Sequence, residues 1–249
     1  ADSVIVGDAV TLWPGVVTDL ENGALKPFYT SAENKNQLIL PSTHQIKLKG
    51  LQLTNSIEAT RGCPYKCDFC QDANIRDGAV FHARPVEDVI QEIKSLQQKI
   101  FFFTDFSMTI DLAYTKELFR QMRGLKKKFI CGGNVDDLAE DDELLRLSHD
   151  AGCIEWISGF ETFSQDALNG AHKKTNIVEE YARAVKKIHS YRMAVFGTFV
   201  LGFDEDTPDI FHTMQKHIGI LGMDSVNFAL LTPYPGTALF NRLEHEGRI

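Results

Sequence analysis

The sequence predicts an α/β protein with a parallel sheet and helices packed outside it. Three observations carry that prediction. Short β-branched and aromatic runs alternate with segments of helical period, in strict strand–helix order. The helical segments open on start signals of their own. Glycines and polar residues follow the strand runs, at the edge where parallel sheets gather their ligands. Two architectures satisfy the pattern: an open doubly wound sheet, and a barrel of the TIM type with fewer units.

The elements justify themselves in order. Ser3-Val-Ile-Val-Gly7 reads as a buried strand entering a turn, and a helix follows from about Pro14 to Asn22, closed by Gly23. One strand and one helix cannot bury a core, so residues 1–35 read as the last βα unit of a domain that begins upstream. Residues 36–54 read as a linker and residues 55–249 as the main domain. There the expected strands are Ser56–Thr60, Ile100–Asp105, Phe129–Asn134, Ile154–Glu161, Val195–Leu201 and Ser225–Leu231. Helices are expected after Pro85, with Val86, Val89, Ile90 and Ile93 on one face, and after Asp111, with Leu118, Phe119 and Met122. A third starts at Asp141 or Asp142 and stops at Gly152. A fourth starts at Thr175, with Val178, Tyr181, Ala182, Val185 and Ile188 inward, and two more open at Thr207-Pro208 and Thr237. The absence of an initiator Met, and the plain ending Gly247-Arg248-Ile249, read as cuts in something longer.

Composition narrows the function. The 249 residues are 43% hydrophobic, enough for a real core. A net charge of −8 without a basic face argues against nucleic acid as a partner. No apolar run reaches membrane-spanning length, and no secretory signal opens the chain, so the expected compartment is the reducing cytoplasm.

Three of the five cysteines lie within eight residues. Arg61-Gly-Cys63-Pro-Tyr-Lys-Cys67-Asp-Phe69-Cys70 gives C-x3-C-x2-C, a spacing that lets one loop wrap three thiolates around one metal centre. Three ligands leave one position open, or call for a fourth from elsewhere. A structural zinc site would draw on His82, with His44 the other histidine flanking the loop. A closed electron-transfer cluster would need Cys131 or Cys153, which read as small core residues instead. The loop directly follows the first main strand. The other strands end at Thr104-Asp105-Phe106-Ser107, Gly132-Gly133-Asn134, Gly159-Phe160-Glu161-Thr162, Leu201-Gly202-Phe203-Asp204-Glu205 and Leu231-Thr232-Pro233-Tyr234, so polar groups collect beside the cysteines.

With these residues in place, the chain resembles the radical S-adenosylmethionine (radical SAM) superfamily over residues 55–249. Cys63, Cys67 and Cys70 match its C-x3-C-x-Φ-C signature, with Phe69 as the aromatic. The resemblance implies a partial (β/α)6 TIM-like barrel and a [4Fe–4S] cluster held by the three thiolates. The fourth iron would take the amino and carboxylate groups of SAM. Carried over residue by residue, Phe69 would contact adenine and Asp105 would receive the methionine ammonium. Asp105 stands in Thr104-Asp105-Phe106, where the family ends its second strand with Gly-Gly-Glu. Glu161 would hold the ribose hydroxyls. Val200, Gly202 and Glu205 match the I-x-G-x-x-E pattern, although Thr198 stands where that pattern has an upstream glycine. Val200 and Leu231 would lie beside adenine.

A narrower resemblance points to the cobalamin-dependent branch. Gly7-Asp8 and Trp13-Pro14 are similar to the tail of a cobalamin-binding Rossmann-like domain, and Gly133-Asn134-Val135-Asp136 and Leu231-Thr232-Pro233-Tyr234-Pro235-Gly236-Thr237 fit that branch. The cobalamin-ligating D-x-H-x-x-G motif is absent from this chain. The implied activity is reductive cleavage of SAM to a 5′-deoxyadenosyl radical, followed by methyl transfer or rearrangement on a small-molecule substrate. Cobalamin would serve in the full-length protein, and a flavodoxin or ferredoxin would be the reductant. The rival readings are an iron–sulfur electron carrier without SAM chemistry and a zinc-bound structural module.

Overall fold

The computed structural model describes residues 1–6, 9–30, 54–71 and 81–249, and the chain divides into two compact units, Ala1–Lys47 and Leu48–Ile249. Gly7, Asp8, His44 and the expected linker up to residue 53 lie outside the described residues.

In the first unit, β1 (Val4–Val6), α1 (Ala9–Glu21) and β2 (Phe28–Thr30) form a parallel βαβ element with Val4 opposite Phe28. The expected βα unit therefore carries one more strand. Phe28-Tyr29-Thr30 is β-prone, but three residues are too few to give a period. The helix starts at Ala9 rather than Pro14, which sits inside it. Pro14 has no N–H to give the helix, and Thr18 Oγ1 donates to its carbonyl at 3.0 Å. Gly23 closes the helix at φ 66. The buried Tyr29 donates its hydroxyl to Asp19 at 2.8 Å, tying strand to helix.

In the second unit, β3 (Thr54–Ile57) is followed by a short antiparallel ladder of β4 (Thr60–Arg61) and β5 (His82–Ala83). The remaining strands are β6 (Ile100–Phe103), β7 (Lys128–Gly132), β8 (Cys153–Glu161), β9 (Ala194–Leu201) and β10 (Ser225–Leu230). They form one sheet in the order β10-β9-β8-β7-β6-β3, and every pairing is parallel. Doubly wound sheets reverse their strand order and barrels do not, so this order is the winding of a six-stranded partial barrel. The first strand ends at Ile57 instead of Thr60 because residues 58–60 leave the sheet for other partners.

The helices are α2 (Val86–Ser95), α3 (Leu112–Met122), α4 (Val135–Glu140), α5 (Asp142–Ala151), α6 (Gln165–Gly170), α7 (Tyr181–Ser190), α8 (Ile210–Leu221) and α9 (Ala238–His245). Asp111, Asp141 and Thr237 cap their helices as expected, accepting the N–H groups of Tyr114, Leu144 and Phe240. Thr175 does not cap. Its hydroxyl donates to Asn176 Oδ1, a 3-10 turn over Val178–Glu180 intervenes, and α7 turns Ala184 inward while Ala182 is exposed. The six-residue helices α4 and α6 were not expected, since they are too short to give a helical period.

Phe101, Phe119, Phe129 and Trp156 are fully buried, with ring centroids 5.3 Å apart for Phe119–Phe129 and 6.3 Å for Phe119–Trp156. Each such burial contributes roughly 1.5–3 kcal/mol. Gly133, just after β7, lies against this cluster, where a Cβ would stand 2.8 Å from the Trp156 ring. Cys131 and Cys153 are core residues on β7 and β8 with sulfurs 4.0 Å apart.

Candidate functional site

The cysteine loop leaves β4 through Gly62, whose φ of 91 suits glycine. Asp68 ties its far side down. The Asp68 N–H donates to the Ala171 carbonyl (3.0 Å), and its own carbonyl accepts the Leu239 N–H (2.9 Å). The loop is thereby fixed to the end of α6 and the start of α9. Cys67 is buried and Cys63 and Cys70 are half-buried; no disulfide links any of the five cysteines. Burial pushes the Cys67 thiol up to about 11, while the Lys173 charge pulls it down. Among the described residues no three His, Cys, Asp or Glu side chains enclose a position for a single metal ion. The donor set suits a soft thiolate-bound centre: three thiols from one loop, with an ammonium facing two of them.

Two hollows lie at the strand ends, the first lined in part by the loop itself. The first, about 460 Å3, is lined by Phe69, Gly202, Phe203, Glu205 and Leu231 among others. Phe69, Val200 and Leu231 pack on the buried trio Ala167, Ala171 and Phe203, so the three residues expected beside adenine converge here, next to Gly202. Asp206 holds the turn. One of its oxygens accepts the N–H groups of Gly202 (2.7 Å) and Phe203 (3.1 Å), and Gly202 takes φ 106.

The second hollow, about 320 Å3, is lined by Asp105, Asn134, Gly159, Glu161, Lys173 and Thr198 among others. A bulge between Gly159 and Glu161 re-aims the end of β8. The Thr162 N–H closes a three-residue turn on the Phe160 carbonyl at 2.8 Å, with Glu161 at its centre and φ 62. A non-glycine residue in this conformation costs on the order of 1–3 kcal/mol and persists where neighbours hold it. The neighbours are Asn176, whose Nδ2 donates to the Gly159 (2.7 Å) and Phe160 (3.1 Å) carbonyls, and Tyr181, whose hydroxyl donates to Phe160 (2.6 Å). So held, Glu161 meets Lys173 at 3.0 Å. Burial pulls the Lys173 ammonium down, but the facing Glu161 and Cys67 charges outweigh it and leave the group above its ordinary value. Lys173, Asn176 and Asp206 were missed in the sequence. Lys173 is one of a Lys pair in a loop, and no spacing singles it out.

Asp105 lies elsewhere than expected in one respect. It lines the second hollow, yet both carboxylate oxygens already accept bonds from residues 59 and 60. Burial pushes its carboxyl up to about 6, against the hydrogen bonds from Thr60 and Ala59. The folded chain therefore binds this proton more tightly than the unfolded chain does. The stabilisation is complete below about pH 4 and lost as pH rises through about 6, on the order of 3 kcal/mol. Urea unfolding across that range is expected to show this component in the wild type and not in Asp105→Asn; parallel profiles would refute it. His82 lies in β5 opposite Arg61.

Known proteins resemble this chain over much of its length. A bacteriochlorophyllide d C-12(1)-methyltransferase of Chlorobaculum tepidum is 28% identical over 99% of this chain and 56% of its own length. An anaerobic magnesium-protoporphyrin IX monomethyl ester cyclase of Cereibacter sphaeroides is 28% identical over 75% of this chain and 31% of its own. The chain thus spans about half or less of the length of these relatives. A solved radical SAM methyltransferase, TsrM of Kitasatospora setae with cobalamin and a [4Fe-4S] cluster bound, shares the fold. Its TM-score is 0.70 at 19% identity, covering 78% of this chain and 39% of that one. No helix among the described residues is long and apolar enough to cross a membrane. Residues 57–217, which hold the cysteine loop, the second hollow and four of the six sheet strands, match the Radical SAM superfamily model, and the chain belongs to that family of [4Fe–4S]- and SAM-using enzymes.

Proposed function

We propose that this chain is the catalytic part of a cobalamin-dependent radical SAM methyltransferase acting on carbon in a small-molecule substrate. The observation that carries the reading is the convergence at one sheet edge of the C-x3-C-x2-C loop, a hollow edged by Phe69, Phe203 and Leu231, and a largely buried Glu161–Lys173 pair. Cys63, Cys67 and Cys70 hold the cluster. Phe69, Val200, Gly202 and Leu231 receive the adenine, and Phe203 backs Phe69 edge-on at 6.2 Å. Glu161 orients the ribose, and Lys173 offsets the charge of the thiolates it faces. When bound, the cluster and SAM supply one-electron chemistry able to attack an unreactive C–H bond. Methyl transfer is favoured over cyclisation because the methyltransferase relative matches nearly the whole chain and the cyclase three quarters of it. The βαβ element of residues 1–30 is the end of a cobalamin-binding domain. The reductant is a flavodoxin or ferredoxin, and the compartment is the cytoplasm.

The test is anaerobic reconstitution with iron and sulfide, reduction, and EPR with and without SAM, with chromatography of the products. A reduced [4Fe–4S] signal that shifts on adding SAM, together with release of methionine, is expected. A signal indifferent to SAM would favour the electron carrier. One tightly held zinc and no cluster would overturn both.

A further inference from the structure

The residues just before the cysteine loop are held in an unusual way. Between β3 and β4 the backbone has left the main sheet, and its polar groups are met by two buried ionic groups on other elements. Asp105, after β6, takes the donors: Ala59 N–H at 3.1 Å, Thr60 N–H at 2.5 Å and the Thr60 hydroxyl at 2.6 Å. Arg84, after β5, supplies the acceptors' partners: its N–H donates to the Ala59 carbonyl at 2.9 Å and its Nη1 to the Glu58 carbonyl at 2.7 Å. Thr104 donates its N–H to the Ile57 carbonyl at 2.9 Å. Behind Arg84 stands Glu92 of α2, with Nη1 and Oε2 2.6 Å apart and both side chains almost wholly buried, at 4% and 3% exposure.

A buried ion pair is a poor way to stabilise a fold. Desolvation consumes most of its attraction, and well-packed apolar residues of similar volume commonly do as well or better. Here the expense is greater still, since Arg84 Nη2 and Glu92 Oε1 find no hydrogen-bond partner among the described residues. What the pair does achieve is specific: its guanidinium fixes the carbonyl of residue 58 beside the Arg84 backbone N–H that holds the carbonyl of residue 59, while Asp105 fixes two N–H groups of residues 59 and 60. Cys63 follows only three residues later, so the stem's position sets where the loop begins. Groups that orient a metal-binding segment without touching the metal commonly govern its affinity.

We propose that Arg84, Glu92 and Asp105 are positioning residues that lock residues 58–60 and so fix the start of the cysteine loop for its cluster. The inference rests on the reading that this loop carries an iron–sulfur cluster. It turns Asp105 from a SAM contact into a support of the loop.

The test separates positioning from mere stability. The double variant Arg84→Met with Glu92→Leu replaces the ion pair by apolar bulk, which should leave the melting temperature of the apo chain near that of the wild type or above it. Thr60→Val removes one bond to Asp105 at constant shape, and Thr60→Ser restores it. The readouts are iron bound per chain over a titration, the EPR line shape of the reduced cluster, and melting of the apo chain by circular dichroism. The double variant and Thr60→Val are expected to bind iron roughly 10-fold more weakly, with an altered line shape and little loss of melting temperature, and Thr60→Ser to recover. Should the double variant not fold, the Thr60 pair decides alone. Iron affinity and line shape equal to wild type in the folded variants would overturn the lock while leaving the functional reading intact. A wild type that takes up no cluster would overturn both.

Discussion

Replacing Lys173 by methionine is expected to destabilise the apo chain by about 3–5 kcal/mol, the largest effect of any substitution at the site. Lys173 and Glu161 are 16% and 9% exposed, so each charge has given up most of its hydration and depends on its partner. Methionine keeps the length and apolar stem of the lysine, which leaves loss of the charge as the main change. Glu161→Gln should destabilise as well, by stranding the ammonium. The double variant should cost less than the two single costs added together, because no unpaired buried charge remains. Urea unfolding of the four apo chains measures this cycle. Additive single effects would show that the pair does not interact in the way its 3.0 Å separation implies. A second consequence is chemical. Lys173 faces Cys67 and Cys70, so its loss removes a cation beside two thiolates. The reconstituted Lys173→Met cluster should therefore reduce at a more negative potential than the wild type, as potentiometry would read it.

How far the sequence reaches can be seen by comparing Glu161 with Lys173. Glu161 was legible because it ends a run rich in β-branched and aromatic residues, and the end of a parallel strand is where ligands gather. The six sheet strands were legible for the same reason, as were the caps at Asp111, Asp141 and Thr237, each of which is a local event within three residues. Lys173 was not, because its place depends on a turn after a six-residue helix and on a contact across the barrel mouth. The φ of 62 at Glu161 is equally silent in the sequence, since glycine would be the ordinary marker of that conformation. Asp105 shows a third case. Its position at a strand end was read correctly, but its bonds run backwards to residues 59 and 60, about 45 residues away in sequence, and only the folded chain reveals them. The choice of barrel over doubly wound sheet likewise waited for the strand order, which helical and strand periods do not encode.

The two buried cysteine environments lead to the second large effect. Cys67→Ala is expected to abolish the iron–sulfur cluster, whereas Cys131→Ala is expected to leave it intact and cost stability alone. Cys67 sits on the loop, beside Lys173 and within reach of the charges of Cys63 and Cys70. Cys131 is fully buried on β7 against Cys153, with their sulfurs 4.0 Å apart, and belongs to the packing between sheet and helices. Removing its sulfur leaves a small cavity worth about 1–2 kcal/mol. Iron per chain and the charge-transfer absorbance after reconstitution separate the two sites, and thermal melting of the apo chains confirms that each variant folds. If Cys131→Ala or Cys153→Ala also lost the cluster, the fourth ligand would be protein. The site would then be closed to SAM, and the electron-carrier reading would prevail. Assembly should also release a proton from Cys67, because burial holds its thiol up at about 11 before iron arrives. Iron affinity of the wild type should accordingly rise with pH in the neutral range, as thiolate ligation requires. A pH-independent affinity would mean that all three loop thiols are already ionised before iron arrives.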